Sequence, residues 1–597
     1  MLLNVKKRDG PARIGELLVD NKRVVTPNIL FVNTTRFKAP HFADILITNN
    51  KRPKYKPTLQ ISNYFVYPKD IPKELHILSI KQYKKENKKY YVLPGNKDVI
   101  DYALKDNPAS LFIVANAYQL FQQPKKFVDF IVEFRGKIGY EKLIYLPSIG
   151  DPTNFALLTY MGIDFFDSIS AILAARESTF LFSNGRYNKS ELNELPCSCP
   201  SCNKYKDAPS NMSFKDILNH NYFVMLDELK QVRNAINRGD LRGLVETRVK
   251  SSPNLTAIFR NLDANHFNFL ENRTSITGKS MVLATCKETF FRPEIRRFQN
   301  RVIERYKKPV SAKILLLLPC SAKKPYSFSR SHKLFRERLD SSGNPFVVHE
   351  LIVTSPIGLV PRDLELVYPA SSYDIPVTGV WDEDEKKMIR NLLTDYLRVN
   401  KYDRIIAHLP RQIMEFIEDI LENPTITCID DPTSKKSLDK LSTVLKKNVN
   451  NYDKVKPYER VREDVQGLAS YQFGRLIAEQ LLKDCIIKGK YPYLKIMHNN
   501  TQLGMITKER GLISLTINGA ERIAKSNKYW VEINDDFILK GSVFAPGVKD
   551  ADDDIRIGDE VIVIKNKKLC AVGVAQMSGD EMKKSSHGEA VKVRHKV

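Results

Sequence analysis

Ala312-Lys-Ile-Leu-Leu-Leu-Leu318 runs straight into Pro319-Cys-Ser-Ala-Lys-Lys-Pro-Tyr-Ser-Phe-Ser-Arg-Ser-His332. A short run this apolar, stopped by proline, predicts a strand buried on both faces, the kind found in parallel sheets. The loop behind it gathers a thiol, lysines, a phenol, hydroxyls and an imidazole. Open α/β sheets place ligand sites where a buried strand feeds such a loop. Further apolar runs predict strands over 346–354, 403–408 and 425–429, and amphipathic spacing predicts helices over 330–339, 384–398 and 411–421. These segments define an α/β core domain over 306–455. Ser434–Pro457 is polar and lysine-rich and is expected to be a linker or exposed connection.

Upstream, Asn28-Ile-Leu-Phe-Val-Asn33, Ser110-Leu-Phe-Ile-Val-Ala115, Lys142-Leu-Ile-Tyr-Leu-Pro147 and Gly162-Ile-Asp-Phe-Phe-Asp167 alternate with amphipathic segments. That rhythm over about 300 residues predicts a TIM-like (β/α) barrel spanning 1–305. Lys81–Tyr90 is expected to be an exposed loop. Downstream, 456–525 predicts a small α+β domain with one helix over 467–482. Residues 526–597 alternate strands with Gly, Asp and Asn turns, as in a compact β-barrel. The expected fold is α/β multidomain.

The chain has 597 residues, 94 Lys and Arg against 69 Asp and Glu, and a net charge of +25, which points to a polyanion partner, with nucleic acid ahead of a membrane. No apolar stretch approaches the roughly 18 residues of a membrane span, and the N-terminus lacks the apolar core of a signal peptide. A cytoplasmic location is expected. The sequence leaves open a homodimer or higher oligomer. Eight cysteines are too few for a disulfide framework, and three lie together in Cys197-Ser-Cys-Pro-Ser-Cys202. With His220, predicted at the end of a short helix over 214–219, Cys197, Cys199 and Cys202 make a Cys3His set suited to structural Zn2+.

These residues resemble the tRNA-guanine transglycosylase family, in which such a cluster, followed by a His-Asn pair like His220-Asn221, binds zinc on a TIM barrel. Arg8-Asp-Gly-Pro-Ala-Arg-Ile-Gly15, Thr26-Pro27 and Met161-Gly-Ile-Asp-Phe-Phe-Asp167 agree with it over roughly residues 5–300. The resemblance places the nucleophilic carboxylate at Asp167. It places the second catalytic carboxylate in Val114-Ala-Asn-Ala-Tyr-Gln119, where valine stands instead. Base exchange needs both a nucleophile and an acid/base partner, so it is not expected in this barrel.

Gly541-Ser-Val-Phe-Ala-Pro-Gly-Val548, Ile557-Gly-Asp-Glu-Val-Ile-Val-Ile564 and Ala571-Val-Gly-Val-Ala575 resemble the PUA domain, which implies RNA binding, with Gly541 and Gly547 where a close backbone approach or a turn is needed. Arg297, Arg301 and Arg305 fall on one face of a helix ending near Tyr306, either a phosphate track or a solvated face. They are carried as RNA-binding candidates.

The opening loop fits the pattern Pro-Cys-x3-Lys-Pro-Tyr-x2-Ser-x2-His at Pro319, Cys320, Lys324, Pro325, Tyr326, Ser329 and His332. That pattern, with Thr354-Ser-Pro-Ile-Gly-Leu-Val-Pro-Arg-Asp-Leu-Glu365 and Tyr373-Asp-Ile-Pro-Val-Thr-Gly379, resembles the archaeosine synthase family. The resemblance implies addition of the side-chain amine of free lysine to the nitrile of 7-cyano-7-deazaguanine at position 15 in the tRNA D-loop. A radical SAM partner protein then cleaves the adduct. The residues do not choose between lysine and glutamine or ammonia as nitrogen donor. Active transglycosylation and a non-catalytic tRNA scaffold are the rival readings.

Cys320, Lys324, Tyr326, Ser329 and His332 are the expected catalytic residues, and Glu365, Tyr373 and Asp374 the expected substrate-binding residues. An ammonium with a pKa near 10.4 must lose a proton before attack, and negative charge on the nitrile nitrogen needs a donor. His332 is the expected proton shuttle, and Tyr326 or Lys324 the expected donor. Cys320, with Lys323, Lys324 and His332 nearby in sequence, is a candidate for a lowered thiol pKa and attack on the nitrile.

Overall fold

In the computed structural model, which describes residues 3–48, 56–60, 73–84, 90–105, 109–205, 208–278 and 280–597, the N-terminal apolar segments form a seven-stranded, all-parallel sheet. Its spatial order is Thr58–Gln60, Ile45–Thr48, Asn28–Val32, Phe165–Asp167, Leu143–Tyr145, Leu111–Val114, Tyr90–Leu93. Alternate side chains leave opposite faces of a strand. One set, including Leu59, Ile47, Leu30, Phe165, Tyr145, Ile113 and Val92, draws on all seven strands and packs with Leu17 and Val24. The other set, including Phe31, Phe112 and Phe166, packs with helix residues such as Phe130, Phe134 and Ile172. A shared interior fed by every strand, with helices outside, is barrel-like construction. Leu17 and Val24 come from an antiparallel meander, Asn4–Asp9, Ala12–Val19 and Lys22–Thr26. Among the described residues no ladder joins the two end strands of the seven.

Of the expected loop at 81–90, Lys81–Lys84 finish the helix Lys73–Lys84, Tyr90 opens a strand, and 85–89 lie outside the described residues.

Packing divides the chain into two compact units. The first comprises Met1–Thr274, Phe544–Pro546 and Glu581–Gly588. The second comprises Ser275–Val543, Gly547–Asp580 and Glu589–Val597.

In the second unit the opening segment is the strand Ile314–Pro319, central in a five-stranded sheet ordered Gly358–Pro361, Val348–Thr354, Ile314–Pro319, Arg404–Ala407, Thr425–Ile426. Only the Gly358–Pro361 edge is antiparallel. Chain order runs outward in both directions from Ile314–Pro319, so its carboxyl end is a topological switch point. The expected linker after Ser434 is instead largely a helix, Lys435–Val449, capped by Ser434, whose Oγ accepts from the Ser437 N–H. Leu438, Leu441, Leu445 and Val449 form its apolar stripe and pack on Ile314, Leu316 and Phe335. The lysines occupy its other face, which is why composition alone hid it.

The single helix expected over 467–482 is two, Pro457–Phe473 and Arg475–Leu482, broken at Gly474 with φ +90°. They lead into an antiparallel sheet from Ile486–Lys490 to Ile513–Leu515. The C-terminal sheet centres on Glu560–Lys565 and Lys568–Ala575, which pair antiparallel.

Candidate active site and metal centre

The cysteine cluster lies in the first unit, against the start of a long helix. Ser213 caps that helix, which runs over Phe214–Arg238 and closes on Gly239 in the left-handed region, so it extends well beyond the short one expected. His220 therefore sits within the helix rather than at its end. One ligand atom each from Cys197, Cys199, Cys202 and His220 falls within 4.8 Å of the others, so together they could hold a metal ion. His220 Nε2 donates to the Leu181 carbonyl at 3.1 Å, which leaves Nδ1 facing Cys202 Sγ at 3.2 Å. Fixing one ring nitrogen so that the other can ligate is the usual outer-sphere arrangement at a metal site. Asn221 secures the same corner, accepting from Leu181 N–H and donating to the Thr179 carbonyl.

At the carboxyl end of Ile314–Pro319, five side chains converge. The Tyr326 and Tyr373 hydroxyls are 2.6 Å apart, and Thr354 Oγ1 bonds the Tyr373 hydroxyl. The Cys320 thiol is within hydrogen-bonding reach of Thr354. Lys324 Nζ lies 3.9 Å from the centre of the Tyr373 ring, a cation–π contact worth about 0.5–2 kcal/mol.

Burial sets the protonation here. It pushes Cys320 up, against the opposing influence of Thr354 and Lys324. It likewise pushes Tyr326 and Tyr373 up, so both stay protonated donors. It draws Lys324 down, opposed by the nearby Cys320 and Asp374. The lowered thiol expected for Cys320 is thus reversed: desolvation outweighs its lysine neighbour. Asp374 is exposed and accepts from the Ile375 N–H.

His332 and Ser329 serve the fold of this loop. Ser329 is the N-cap of the helix Arg330–Asp340 and accepts from the His332 N–H at 3.2 Å, so the Ser-x2-His spacing is that of a helix cap. The His332 ring is buried with both nitrogens engaged. Nε2 donates to the Pro319 carbonyl at 3.0 Å, and Nδ1 accepts from Arg362 at 2.7 Å. Burial and the Arg362 charge hold its pKa down at about 3. His332 is therefore neutral and locked, a clamp on the strand end in place of the expected proton shuttle.

Arg362 is the hub that sequence reasoning missed. Besides His332 it binds Glu350 at 2.8 Å and Glu365 at 2.9 Å. Burial would raise Glu350, but Arg362 and Arg336 prevail and hold it at about 2. Glu365 also accepts from the Ser327 N–H at 2.9 Å and the Tyr491 hydroxyl at 2.5 Å, so this expected substrate ligand is already fully engaged. The signal was present: Val348-His-Glu-Leu-Ile-Val-Thr354 carries charge inside an apolar strand, and buried charge requires a partner. Ser327, His332, Glu350, Arg362 and Glu365 border a cavity of about 670 Å³ within the second unit.

Known proteins are similar to this chain over most of its length. The chain is 37% identical over 500 residues to an archaeosine synthase of Haloferax volcanii, covering 82% of this chain and 83% of that one. It is 36% identical over 504 residues to archaeosine synthase subunit alpha of Methanosarcina acetivorans, covering 82% and 80%. With an archaeosine synthase of Methanocaldococcus jannaschii the identity is 32% over 605 residues and 98% of both chains. The chain belongs to the archaeosine synthase family. Family models match at residues 104–254 (queuine tRNA-ribosyltransferase), 463–529 (patch-forming domain C2 of tRNA-guanine transglycosylase) and 532–597 (PUA domain). Residues 295–445, which carry the Cys320 loop and Arg362, match a domain of unknown function, DUF5591.

In this archaeosine synthase family member the transglycosylase-like carboxylate is locked. Asp167 is fully buried and accepts from the Tyr145 hydroxyl at 2.7 Å, the Ser148 N–H at 2.8 Å and the Ile169 N–H at 2.9 Å. Val114, where the partner carboxylate was expected, is wholly buried in an apolar cluster.

The arginine helix, Pro293–Glu304, is neither a phosphate track nor a solvated face. Arg297 and Arg301 are each 5% exposed. Arg297 donates to the Ser275 carbonyl, Arg301 lies over the Tyr471 ring, and Arg305 donates to the Tyr529 hydroxyl at 3.0 Å. All three act on the buried Asp559, whose pKa burial pushes up and they pull down. Gly547 is required by packing, since a Cβ there would lie 2.5 Å from Phe537 ring carbons, whereas Gly541 has open space around it. Among the described residues no helix is long and apolar enough to cross a membrane.

Proposed function

We propose that the chain is a tRNA-modifying transferase of archaeosine formation, which adds the side-chain amine of free lysine to the nitrile of 7-cyano-7-deazaguanine at position 15 of tRNA. Membership of the archaeosine synthase family supports the pathway. The observation that carries the site is the gathering of Cys320, Lys324, Tyr326, Thr354 and Tyr373 at the switch point of a parallel sheet.

The reaction asks little of the protein. The amine nitrogen bonds to the nitrile carbon, loses one proton, and the nitrile nitrogen gains one. Amine plus nitrile gives amidine, and nothing is released. Lys324, its pKa drawn down by burial, takes the proton from the incoming ammonium. Tyr373, held protonated and coupled to Tyr326, donates to the nitrile nitrogen where charge develops. Cys320, its thiol pushed up by burial, stays protonated, so no covalent thioimide is invoked. Asp374, near Lys324, balances its charge. The radical SAM partner acts afterwards on the lysine carbon–nitrogen bond.

The PUA domain, with Gly541 open to approach, and the basic chain supply tRNA binding through shape and phosphate contacts. The Cys3His cluster holds structural Zn2+, since three thiolates and one imidazole favour that ion and leave no open position for substrate.

The test is to incubate purified protein with cyano-modified tRNA and isotopically labelled lysine, then to analyse nucleosides by mass. A lysine adduct is expected from the native chain. Tyr373→Phe and Lys324→Met should each reduce its rate by at least a hundredfold, and Cys320→Ala by less than tenfold. Release of free base, or label entering only from glutamine or ammonia, refutes the proposal.

A further inference from the structure

One sheet face of the second unit carries cations without carboxylate partners. The sheet orders its strands Ile486–Lys490, Tyr493–His498, Thr501–Ile506, Ile513–Leu515. Ile496, Ile506 and Ile513 are buried on its inner face. Alternation then turns Ile486, Lys488, Lys490, Tyr493 and Lys495 outward, and all five are exposed. No Asp or Glu occurs between Ile486 and Lys508. Among the described residues no carboxylate lies within ion-pair distance of Lys488, Lys490 or Lys495.

The fold leaves repulsion on this face. Lys488 stands directly opposite Lys495, and Lys490 opposite Tyr493. Like charges directly opposite one another destabilise a ladder. Lysines on an edge strand hinder edge-to-edge pairing, which accounts for Lys488 and Lys490 on the outermost strand. It does not account for Lys495, whose strand is paired on both sides. A polyanion seated here removes the repulsion. The Tyr493 ring is exposed among these lysines while its hydroxyl donates to Glu509 at 2.7 Å. A flat ring between cations suits bases and phosphates together, whereas an acidic protein surface needs the cations alone.

The face ends beside the Cys320 loop. Tyr491, in the turn between the first two strands, donates to Glu365 at 2.5 Å. Lys508 Nζ lies 4.7 Å from the centre of the Phe328 ring, and Phe328 belongs to the loop that carries Lys324.

We propose that this sheet face binds an RNA strand, with Lys488 and Lys495 at its phosphates and the Tyr493 ring against a base. The inference rests on the proposed reaction only for the identity of that RNA as the tRNA substrate. It adds an RNA contact outside the PUA domain, on the module that adjoins the Cys320 loop, so the RNA is held beside the groups that act on it.

The full-length chain is titrated with an unmodified tRNA transcript over a range of salt, and adduct formation on cyano-modified tRNA is measured in parallel. Lys488→Gln combined with Lys495→Gln should weaken binding at least tenfold at low salt. It should also reduce the slope of log affinity against log salt by about 1.4–1.8, two phosphate contacts at about 0.7–0.9 each. The melting temperature should be unchanged or higher, because the opposed lysines are gone. Lys440→Gln combined with Lys447→Gln removes the same charge from the exposed side of the helix Lys435–Val449 and should leave affinity within twofold. Tyr493→Leu should weaken binding at least fivefold with the slope unchanged, and Tyr493→Phe, which keeps the ring, should stay within twofold. An unchanged slope in the Lys488 and Lys495 variant, an equal loss in the control pair, or equal affinities of the two Tyr493 variants overturns the RNA face. A changed oligomeric state with unchanged RNA affinity assigns the face to a protein contact and overturns it as well. If the affinity and slope fall as expected but the native chain forms no adduct, the face stands and the proposed reaction falls. Adduct formation by the native chain with unchanged RNA affinity in the variants keeps the reaction and removes the face.

Discussion

Replacing Arg362 with methionine tests the hub directly. The substitution keeps an unbranched side chain but deletes three charge-assisted contacts, to Glu365 at 2.9 Å, Glu350 at 2.8 Å and His332 Nδ1 at 2.7 Å. Taken singly, such bonds contribute about 1.5–3 kcal/mol each. They do not add here, because Glu350 keeps Arg336 at 3.0 Å and Glu365 keeps Ser327 N–H and Tyr491. Breaking a buried ion pair from one side costs about 3–5 kcal/mol, and the lower half of that range is expected at pH 7. The pH dependence is diagnostic. His332 and Glu350 both have folded pKa values below their ordinary ones, about 3 and about 2. Their contributions are complete above the unfolded pKa and are lost as pH falls, for His332 from about 6.5 towards 3 and for Glu350 from about 4.5 towards 2. Without Arg362 both folded values rise, so the variant loses less on acidification. The deficit should narrow between pH 7 and pH 4 by at least about 1.4 kcal/mol, the equivalent of one pKa unit. Trp381, packed on Phe416 in the same domain, reports urea unfolding once Trp530 is changed to phenylalanine. A deficit below about 1 kcal/mol, a deficit independent of pH, or full rescue by Arg362→Lys, whose single ammonium cannot serve three partners, refutes the hub.

Asp167→Asn should lower the melting temperature by roughly 2–8 °C, since a buried acceptor of three hydrogen bonds is disturbed by about 1–2 kcal/mol, yet leave amidine formation within twofold; a hundredfold loss of activity with unchanged melting points to barrel chemistry. Arg301→Ala should destabilise the second unit and leave the slope of log affinity for tRNA against log salt unchanged, whereas a slope reduced by about one identifies a phosphate contact. Elemental analysis should find one zinc ion per chain, and Cys202→Ser should lose at least nine-tenths of it with a lower melting temperature; full zinc retention in that variant removes the cluster as the site.

Strand positions were legible because burial on both faces leaves little but apolar residues, as in Ile314–Leu318, wholly buried here. The switch-point loop was legible for the same reason, since a polar cluster directly behind such a strand has few other places to sit. The helix Lys435–Val449 was not, because its lysines dominate composition while its apolar stripe is only four residues. Arginine misled in both directions. Arg297, Arg301 and Arg305 share a face by helical spacing, but spacing cannot say whether that face meets solvent or Asp559. Arg362 lay in the segment that resembles the archaeosine synthase family, but its partners lie 3, 12 and 30 residues away, so only folding assembles them. His332 illustrates the limit of reading residue type as role. Imidazole titrates near neutrality in water, and burial beside a guanidinium removes that property.

The contrast between the chain's two parallel sheets argues for where its chemistry lies. At the end of Phe165–Asp167 the carboxylate that could attack is held by a phenol and two backbone N–H groups. Its would-be partner position is a buried valine. To act as a nucleophile Asp167 would have to give up those bonds. At the end of Ile314–Pro319 the balance is reversed. The ionic groups, Arg362, Glu350 and Glu365, are all committed to one another behind the loop. In front of it stand Lys324, its pKa drawn down by burial as it lies over the Tyr373 ring, and Tyr326 and Tyr373, pushed up by burial and joined hydroxyl to hydroxyl. A lysine whose burial eases the loss of its proton, beside phenols that keep theirs, sets a proton acceptor next to a proton donor. The proposed addition of an amine to a nitrile calls for such a pair.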